Sequence, residues 1–330
     1  MIRLHRNARE QSIDDTGALP APPRKARRRI ALGMAALTVW VTGSALGTAS
    51  APSAHASPGF AIGVAHPAEA FPTLTGNKPI FVLALGSDAR PGQAIDQQRS
   101  DSIHIVGLNP AKGRATILGF PRDSYVDIPG HGKDKITAAM SFGGPKLTIQ
   151  TIENLTGIHI DFYVLTSFPG LKKMINAIGG VTVDVPIAMD DHFSDAHFQP
   201  GPTHMDGAQA LSFARDRHDF PRGDLDRSEN QGRLFISTLA EFRKDFQKDP
   251  GVMLTYIGAG MRNVQTDLPL SKVVQLGFTA SKVAPGSVTN CVVPATGGVV
   301  GSADVVFISP GASALYKDMK PDGLLKGCGG

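Results

Sequence analysis

With 330 residues, 42% of them hydrophobic, the chain is long enough to bury a full core, and one large domain plus a leader suits its length best. Its formal charge of +4 is misleading as a sign of nucleic-acid binding, because residues 1–29 hold eight Arg or Lys against three acids, a net of +5. Residues 30–330 are therefore left at −1, which supports no nucleic-acid footprint and assigns the basicity to a membrane leader.

The leader has a basic region ending in Arg24-Lys25-Ala26-Arg27-Arg28-Arg29, an uncharged apolar stretch from Ile30 to Thr48, and Ala54-His55-Ala56, an A-x-A cleavage pattern. About 19 apolar or small residues also suffice to span a bilayer, so both a cleaved signal peptide and a retained anchor are open. The paired arginines match a twin-arginine signal only weakly. Arginines on the leading side place the N-terminus in the cytoplasm and the body outside. Residues 1–56 are thus expected to form the leader, 57–78 a linker rich in Ala, Pro and Gly, and 79–330 a single extracytoplasmic domain with a C-terminal extension.

Residues 79–85, PIFVLAL, form an apolar run too short for a helix and read as a fully buried strand. Residues 102–108 and 115–120 are two further strands, joined as a hairpin by the turn Asn109-Pro110-Ala111-Lys112-Gly113. A helix is predicted over 145–155, opened by Pro145 and stopped by Gly157. A strand over 161–167, a helix over 169–178 and a strand over 181–185 follow. Residues 186–206, with their Asp, His, Pro and Gly content, predict a long loop. Helices are expected over 207–214, 228–246 and 270–283, with a polar turn at 218–226 and a last strand over 288–293. Alternating strands and helices mark an α/β layered sheet.

Five short clusters mix acids with arginine: Gly86-Ser87-Asp88-Ala89-Arg90, Arg99-Ser100-Asp101, Pro121-Arg122-Asp123, Arg215-Asp216-Arg217 and Asp224-Leu225-Asp226-Arg227. Several adjoin the predicted strands, and charges at strand ends converge on one edge of a sheet, where ligands bind in open α/β folds. Carboxylates hold a hard cation and guanidinium forks pair with phosphate oxygens, so the pattern points to phosphoryl chemistry. Asp88 leaves one strand and Asp101 enters the next, so as sheet neighbours they can share Mg²⁺ or Mn²⁺; the alternative is a turn cap and a local pair with Arg99. Arg99, Arg122, Arg215 and Arg217 are candidate phosphate ligands, and Lys135 a further one. Asp224, Arg227 and Gln231 share a helix face if a helix begins near Asp224, which is equally a candidate N-cap.

The ten histidines show no metal-binding spacing, Ser87 lacks a nucleophile-elbow pattern, and no P-loop lysine is present. Serine-triad and zinc hydrolysis are therefore disfavoured. Outside the cytoplasm thiols oxidise, so Cys291 and Cys328, the two cysteines of the chain, are expected to form one disulfide; free or metal-binding thiols are the alternative.

The motifs L-A-L-G-S-D-A-R, Q-R-S-D-S-I, F-P-R-D-S-Y-V-D-I-P-G, D-K-I-T-A-A-M, G-G-V-T-V-D-V-P, G-A-Q-A-L-S-F-A-R-D-R and G-D-L-D-R-S-E-N-Q run in order from residue 79 to about 245. In that order they resemble the LytR-CpsA-Psr family of extracytoplasmic phosphotransferases. The resemblance implies a layered α-β-α fold with a central mixed sheet flanked by helices. It implies transfer of a glycopolymer phosphate from a polyprenyl-diphosphate carrier to a peptidoglycan hydroxyl, at the outer face of the cytoplasmic membrane. By the same likeness Asp88 and Asp101 are the Mg²⁺ (or Mn²⁺) ligands, and Arg99, Arg122, Arg215, Arg217, Arg227 and Gln231 contact the diphosphate. Arg122 and Arg217 then act in catalysis, with Asp224 as the base for the acceptor's proton. Two positions depart from the family pattern: Thr137 stands where many relatives have asparagine, and Asn230 where many have a second arginine. They keep two rivals open, a polyprenyl-diphosphate pyrophosphatase and a non-catalytic binding or regulatory protein.

Overall fold

Strand β1, Ile80–Ser87, alternates two kinds of side chain: Phe81, Leu83 and Leu85 pack into the main core, whereas Ala84 and Gly86 leave space on the opposite face. The structure, a computed structural model, describes residues 78–328. The predicted leader and almost all of the predicted linker lie outside these residues. Among the described residues no helix is long and apolar enough to cross a membrane.

β1 pairs antiparallel with β2, Ser100–Asn109, which forms the expected hairpin with β3, Arg114–Gly119. A second hairpin, β4 (Tyr125–Ile128) and β5 (Gly132–Lys135), turns through Gly130 at φ 79°. Helix α1, Ala138–Thr156, is kinked at Gly143 and Gly144, so the predicted helix start at Pro145 is the start of its second segment. Strand β6, Phe162–Ser167, lies parallel to β1 and hands its last residue to helix α2, Phe168–Ala177, as N-cap: Ser167 Oγ accepts from Gly170 N–H.

The predicted loop at 186–206 is instead built of strands. β7, Val181–Val185, pairs with β10, Gly201–Met205, and between them β8, Met189–Asp191, pairs with β9, Ala196–Phe198. Each of β8 and β9 has three residues, too few for alternation to emerge from a polar, turn-rich composition. Helix α3, Gly207–Arg215, opens on a capping box of Asp206 and Gln209. Helix α4, Asp224–Lys248, begins one turn before its predicted start, inside the stretch expected to be a turn.

α5 (Val252–Met261), β11 (Val264–Thr266), α6 (Leu270–Lys282), β12 (Val288–Val292), the hairpin β13 (Ala295–Val300) and β14 (Ala303–Ile308), and α7 (Ala312–Met319) complete the chain. The central sheet has the order β11-β6-β1-β2-β3-β12 and is mixed, with β1/β6 and β3/β12 parallel and the other pairs antiparallel. One face carries the core of Leu83, Ile105 and Leu118 against Met140 and Ile152 of α1 and Leu315 and Met319 of α7. α4 crosses the other face. Its close approach depends on two glycines: a Cβ at Gly119 would lie 2.2 Å from Ser228 Oγ, and one at Gly232 would lie 1.9 Å from Asn290 Oδ1. Cys291 of β12 and Cys328 form a disulfide, tying the end of the described chain to the sheet.

Candidate functional site

The β1–β2 register sets Gly86 opposite Ser102 and Ser87 opposite Ser100, and the Asp88 N–H donates to Arg99 O at 3.1 Å. Asp88 and Asp101 thereby meet at one edge of the sheet. Burial, and after it the Asp101 carboxylate, raise the Asp88 pKa above the ordinary aspartate value, against the pull of Arg99 and Arg122. An Asp101 carboxylate close enough to disfavour the Asp88 charge, with Asp88 only partly buried, fits a hard divalent cation.

Arg122 follows β3 and is gripped on several sides. Its Nη1 lies 2.6 Å from Asp101 Oδ1, and its backbone N–H donates to Asp224 Oδ2 at 2.9 Å. Burial opposes its charge, yet Asp101, Asp123 and Asp224 outweigh it and hold the guanidinium above its ordinary pKa. Thr137 fastens the same corner: its N–H donates to Arg122 O at 3.1 Å and its Oγ1 to Ser100 O at 2.9 Å.

α4 supplies a deeply buried cation. Arg227 is 5% exposed and pairs with Asp224, while its Nε has no hydrogen-bond partner among the described residues. Burial lowers its pKa; Asp224 opposes that shift, and the nearby charges of Arg122 and Arg217 add to it. The alternative role of Asp224 as N-cap is not taken up, since Gly223 holds that position and Asp224 turns both oxygens to the two arginines. Gln231, one turn on, donates to Asp101 O at 3.3 Å and to Ala214 O at 3.2 Å. Arg215, the last residue of α3, lies with its guanidinium carbon 5.2 Å from the centre of the Phe168 ring.

Asp101, Arg215, Arg227 and Gln231 share one cavity of about 520 Å³. Its remaining lining is almost entirely apolar, with Ala84 and Gly86 of β1, Val164 of β6, Leu171 of α2, Phe235 of α4 and Ile257 of α5 among the contributors. The other expected ligands stand apart from it. Arg99 is exposed, Arg217 is half-buried within electrostatic reach of Arg227, and Lys135 is held by Asp123 at 3.0 Å. Asn230 is buried outside the cavity lining.

Sequence reasoning missed His104, wholly buried between Ser102 Oγ (3.1 Å) and Ser228 O (3.0 Å). Burial pushes its pKa down to about 4, so it is neutral and braces β2 against the turn of α4 that carries Arg227. A lone histidine inside a strand pattern carries no signal of such a role.

Fold and site together define an α/β protein whose cavity is cationic where Arg215 and Arg227 stand and apolar over most of the rest. The LytR_cpsA_psr family model matches residues 53–319, and the chain belongs to this family. Over 162 residues it is 39% identical to a polyisoprenyl-teichoic acid–peptidoglycan teichoic acid transferase TagU of Enterococcus faecalis, covering 49% of this chain and 53% of that protein. The chain thus spans about half the length of the curated relatives it matches. The structure of TagV from B. subtilis superposes with a TM-score of 0.62 at 28% identity, over 73% of this chain and 95% of TagV. A structure of TagT bound to LI-WTA gives 0.61 at 25% identity, over 75% and 92% of the two chains.

Proposed function

We propose that the protein is an extracytoplasmic phosphotransferase that moves a glycopolymer phosphate from a polyprenyl-diphosphate carrier to a hydroxyl of peptidoglycan. The observation that carries this reading is the buried Arg227, which lines a largely apolar cavity together with Asp101, Arg215 and Gln231 and whose Nε has no hydrogen-bond partner among the described residues. A buried donor left without a partner is costly, and a phosphate oxygen would satisfy it. The apolar lining suits the isoprenoid, and family membership together with the activity named for the TagU relatives supports the choice of donor and acceptor.

Asp88 and Asp101 would hold Mg²⁺ or Mn²⁺, which when bound neutralises charge on the diphosphate. Arg227, Arg215 and Gln231 would bind the diphosphate from the cavity, and Arg122, Arg217 and Arg99 from the sheet edge. The acceptor oxygen forms a bond to the glycan-side phosphorus as the bond from that phosphorus to the bridging oxygen breaks. Polyprenyl phosphate departs with the electron pair, and the arginines stabilise the charge gathering on it. Asp224 orients Arg122 and Arg227, and it can take the acceptor's proton once a contact to either opens. Lys135 acts through Asp123 beside Arg122. The outer face of the cytoplasmic membrane is where such a carrier is presented, and the predicted leader would deliver the body there.

The test is incubation of the full chain with a polyprenyl-diphosphate oligosaccharide and a peptidoglycan oligomer, with Mg²⁺ or with chelator, read by mass spectrometry. A phosphodiester-linked conjugate, lost in Asp101→Ala and Arg122→Ala, is expected. Free sugar phosphate with no conjugate would replace transfer by hydrolysis, and bound but unreacted lipid would make the protein a carrier-binding factor.

A further inference from the structure

Asp216 stands between Arg215 and Arg217, caps α3 at its C-terminus, and is 0% exposed. Its Oδ1 accepts from the His218 N–H at 3.0 Å, while its Oδ2 is buried with no hydrogen-bond partner among the described residues. Asp191 of β8, 3% exposed, lies beside it. One donor atom each from Asp191, Asp216 and His218 falls within 4.8 Å of the others. His218 Nδ1 is 3.1 Å from Asp191 Oδ2, within a few tenths of an ångström of the roughly 3.4 Å that separates adjacent ligands on a tetrahedral metal with bonds of about 2.1 Å.

Two buried carboxylates in one pocket are unfavourable unless a cation or hydrogen bonds compensate them. Asp191 is compensated in part, by Ser194 Oγ at 2.7 Å, Phe193 N–H at 3.0 Å and His218. No lysine or arginine among the described residues forms an ion pair with Asp191 or Asp216. Asp216 Oδ2 in particular has no hydrogen-bond partner in this geometry among the described residues, the nearby Asp219 carboxylate adds further negative charge, and Asp216 is held in place by its own backbone as a helix cap. His218 is partly exposed and opens the cluster to solvent, so an ion can enter.

We propose that Asp191, Asp216 and His218 form a second divalent-cation site, separate from Asp88 and Asp101, that ties β8 to the Arg215–Arg217 segment. Two carboxylates with one imidazole favour a borderline ion such as Zn²⁺ over the all-oxygen coordination preferred by Mg²⁺ or Ca²⁺. The site is structural: by fixing the backbone of Asp216 it sets where the two flanking arginines stand.

The experiment uses the tag-free full chain carrying Asp88→Ala and Asp101→Ala, stripped with chelator and dialysed, then titrated with ZnCl₂ alone by calorimetry, with Tm read in parallel. One tightly bound equivalent and a higher Tm are expected, with Ca²⁺ giving neither. Adding His218→Ala, an exposed position where loss of folding is not expected, should remove that equivalent and the Tm rise together, and Asp216→Asn should do the same. Absence of binding, binding unchanged in both added variants, or preference for Ca²⁺ over Zn²⁺ would each overturn the proposal.

Discussion

The backbone N–H of Arg122 donates to Asp224 Oδ2 at 2.9 Å, joining the chain after β3 to the first turn of α4 across 102 residues of sequence. The same carboxylate pairs with Arg227, so one aspartate sets the backbone of one arginine and neutralises part of the charge of another. Asp224→Ala should therefore cost about 3 kcal/mol of stability, since it leaves Arg227 as an uncompensated buried cation. Urea denaturation measures this, and an unchanged midpoint would show that the pair contributes nothing net. Asp224→Asn keeps an acceptor for Arg122; if Asp224 only orients the arginines, the pH dependence of the remaining transfer rate should keep its shape.

Thr137, one of the two departures from the family pattern expected from sequence, fastens this corner: its hydroxyl reaches Ser100 O and its N–H reaches Arg122 O. Thr137→Val removes the first contact with little change of shape and should destabilise the protein by about 1 to 3 kcal/mol, the cost of a buried unpaired carbonyl. Thr137→Asn, which keeps a side-chain donor, should cost less. Thermal unfolding of the two variants side by side decides the order.

His104 makes stability depend on pH. Its folded pKa of about 4 lies below the ordinary histidine value of 6.5, so the unfolded chain binds more protons between those values and stability falls as pH drops through that window. The loss amounts to about 3 kcal/mol at pH 4 relative to neutral pH. His104→Gln should flatten that part of the curve of unfolding free energy against pH, and an equal slope in wild type and variant would remove His104 as its source.

Ala84 faces the cavity from β1. Ala84→Phe should fill part of this volume and weaken binding of a polyprenyl-phosphate analogue by roughly tenfold or more, with a smaller effect on Tm than on affinity. Fluorescence titration with the analogue measures it. Unchanged affinity would place the isoprenoid elsewhere.

Replacing both Cys291 and Cys328 by serine should lower stability by about 3 to 4 kcal/mol, the entropy restored to the unfolded chain by opening the 37-residue loop. The intact mass of the wild type should rise by about 2 Da on reduction, as two thiols replace one disulfide.

Much of the site was legible in sequence because its residues lie next to strands that announce themselves. Leu83 and Leu85 mark β1, and Asp88 follows directly; Ile103 and Ile105 mark β2, and Asp101 precedes them. Helix α4 was legible in its apolar half, whereas at Asp224 a polar turn and a helix start were both open, because a first turn of Asp, Leu, Asp and Arg reads as a loop unless packing on β3 and β12 carries the helix over it. The strands between 189 and 205 stayed hidden because β8 and β9 have only three residues each in a polar, turn-rich stretch, while β10 finds its partner in β7, on the far side of that stretch.

Local patterning by itself determines the alternation of strands and helices and the placing of acids and arginines at strand ends. Each depends on neighbours within a few residues, where period, charge and composition are written directly. Tertiary structure alone decides which of these charges meet. Arg227 becomes a buried phosphate candidate because Gly119 and Gly232 let α4 lie on the sheet, whereas Lys135, equally basic, is occupied by Asp123. His104 becomes a neutral brace, and Asp191, Asp216 and His218 converge from β8 and the end of α3, because burial and long-range pairing assign partners that no spacing along the chain encodes.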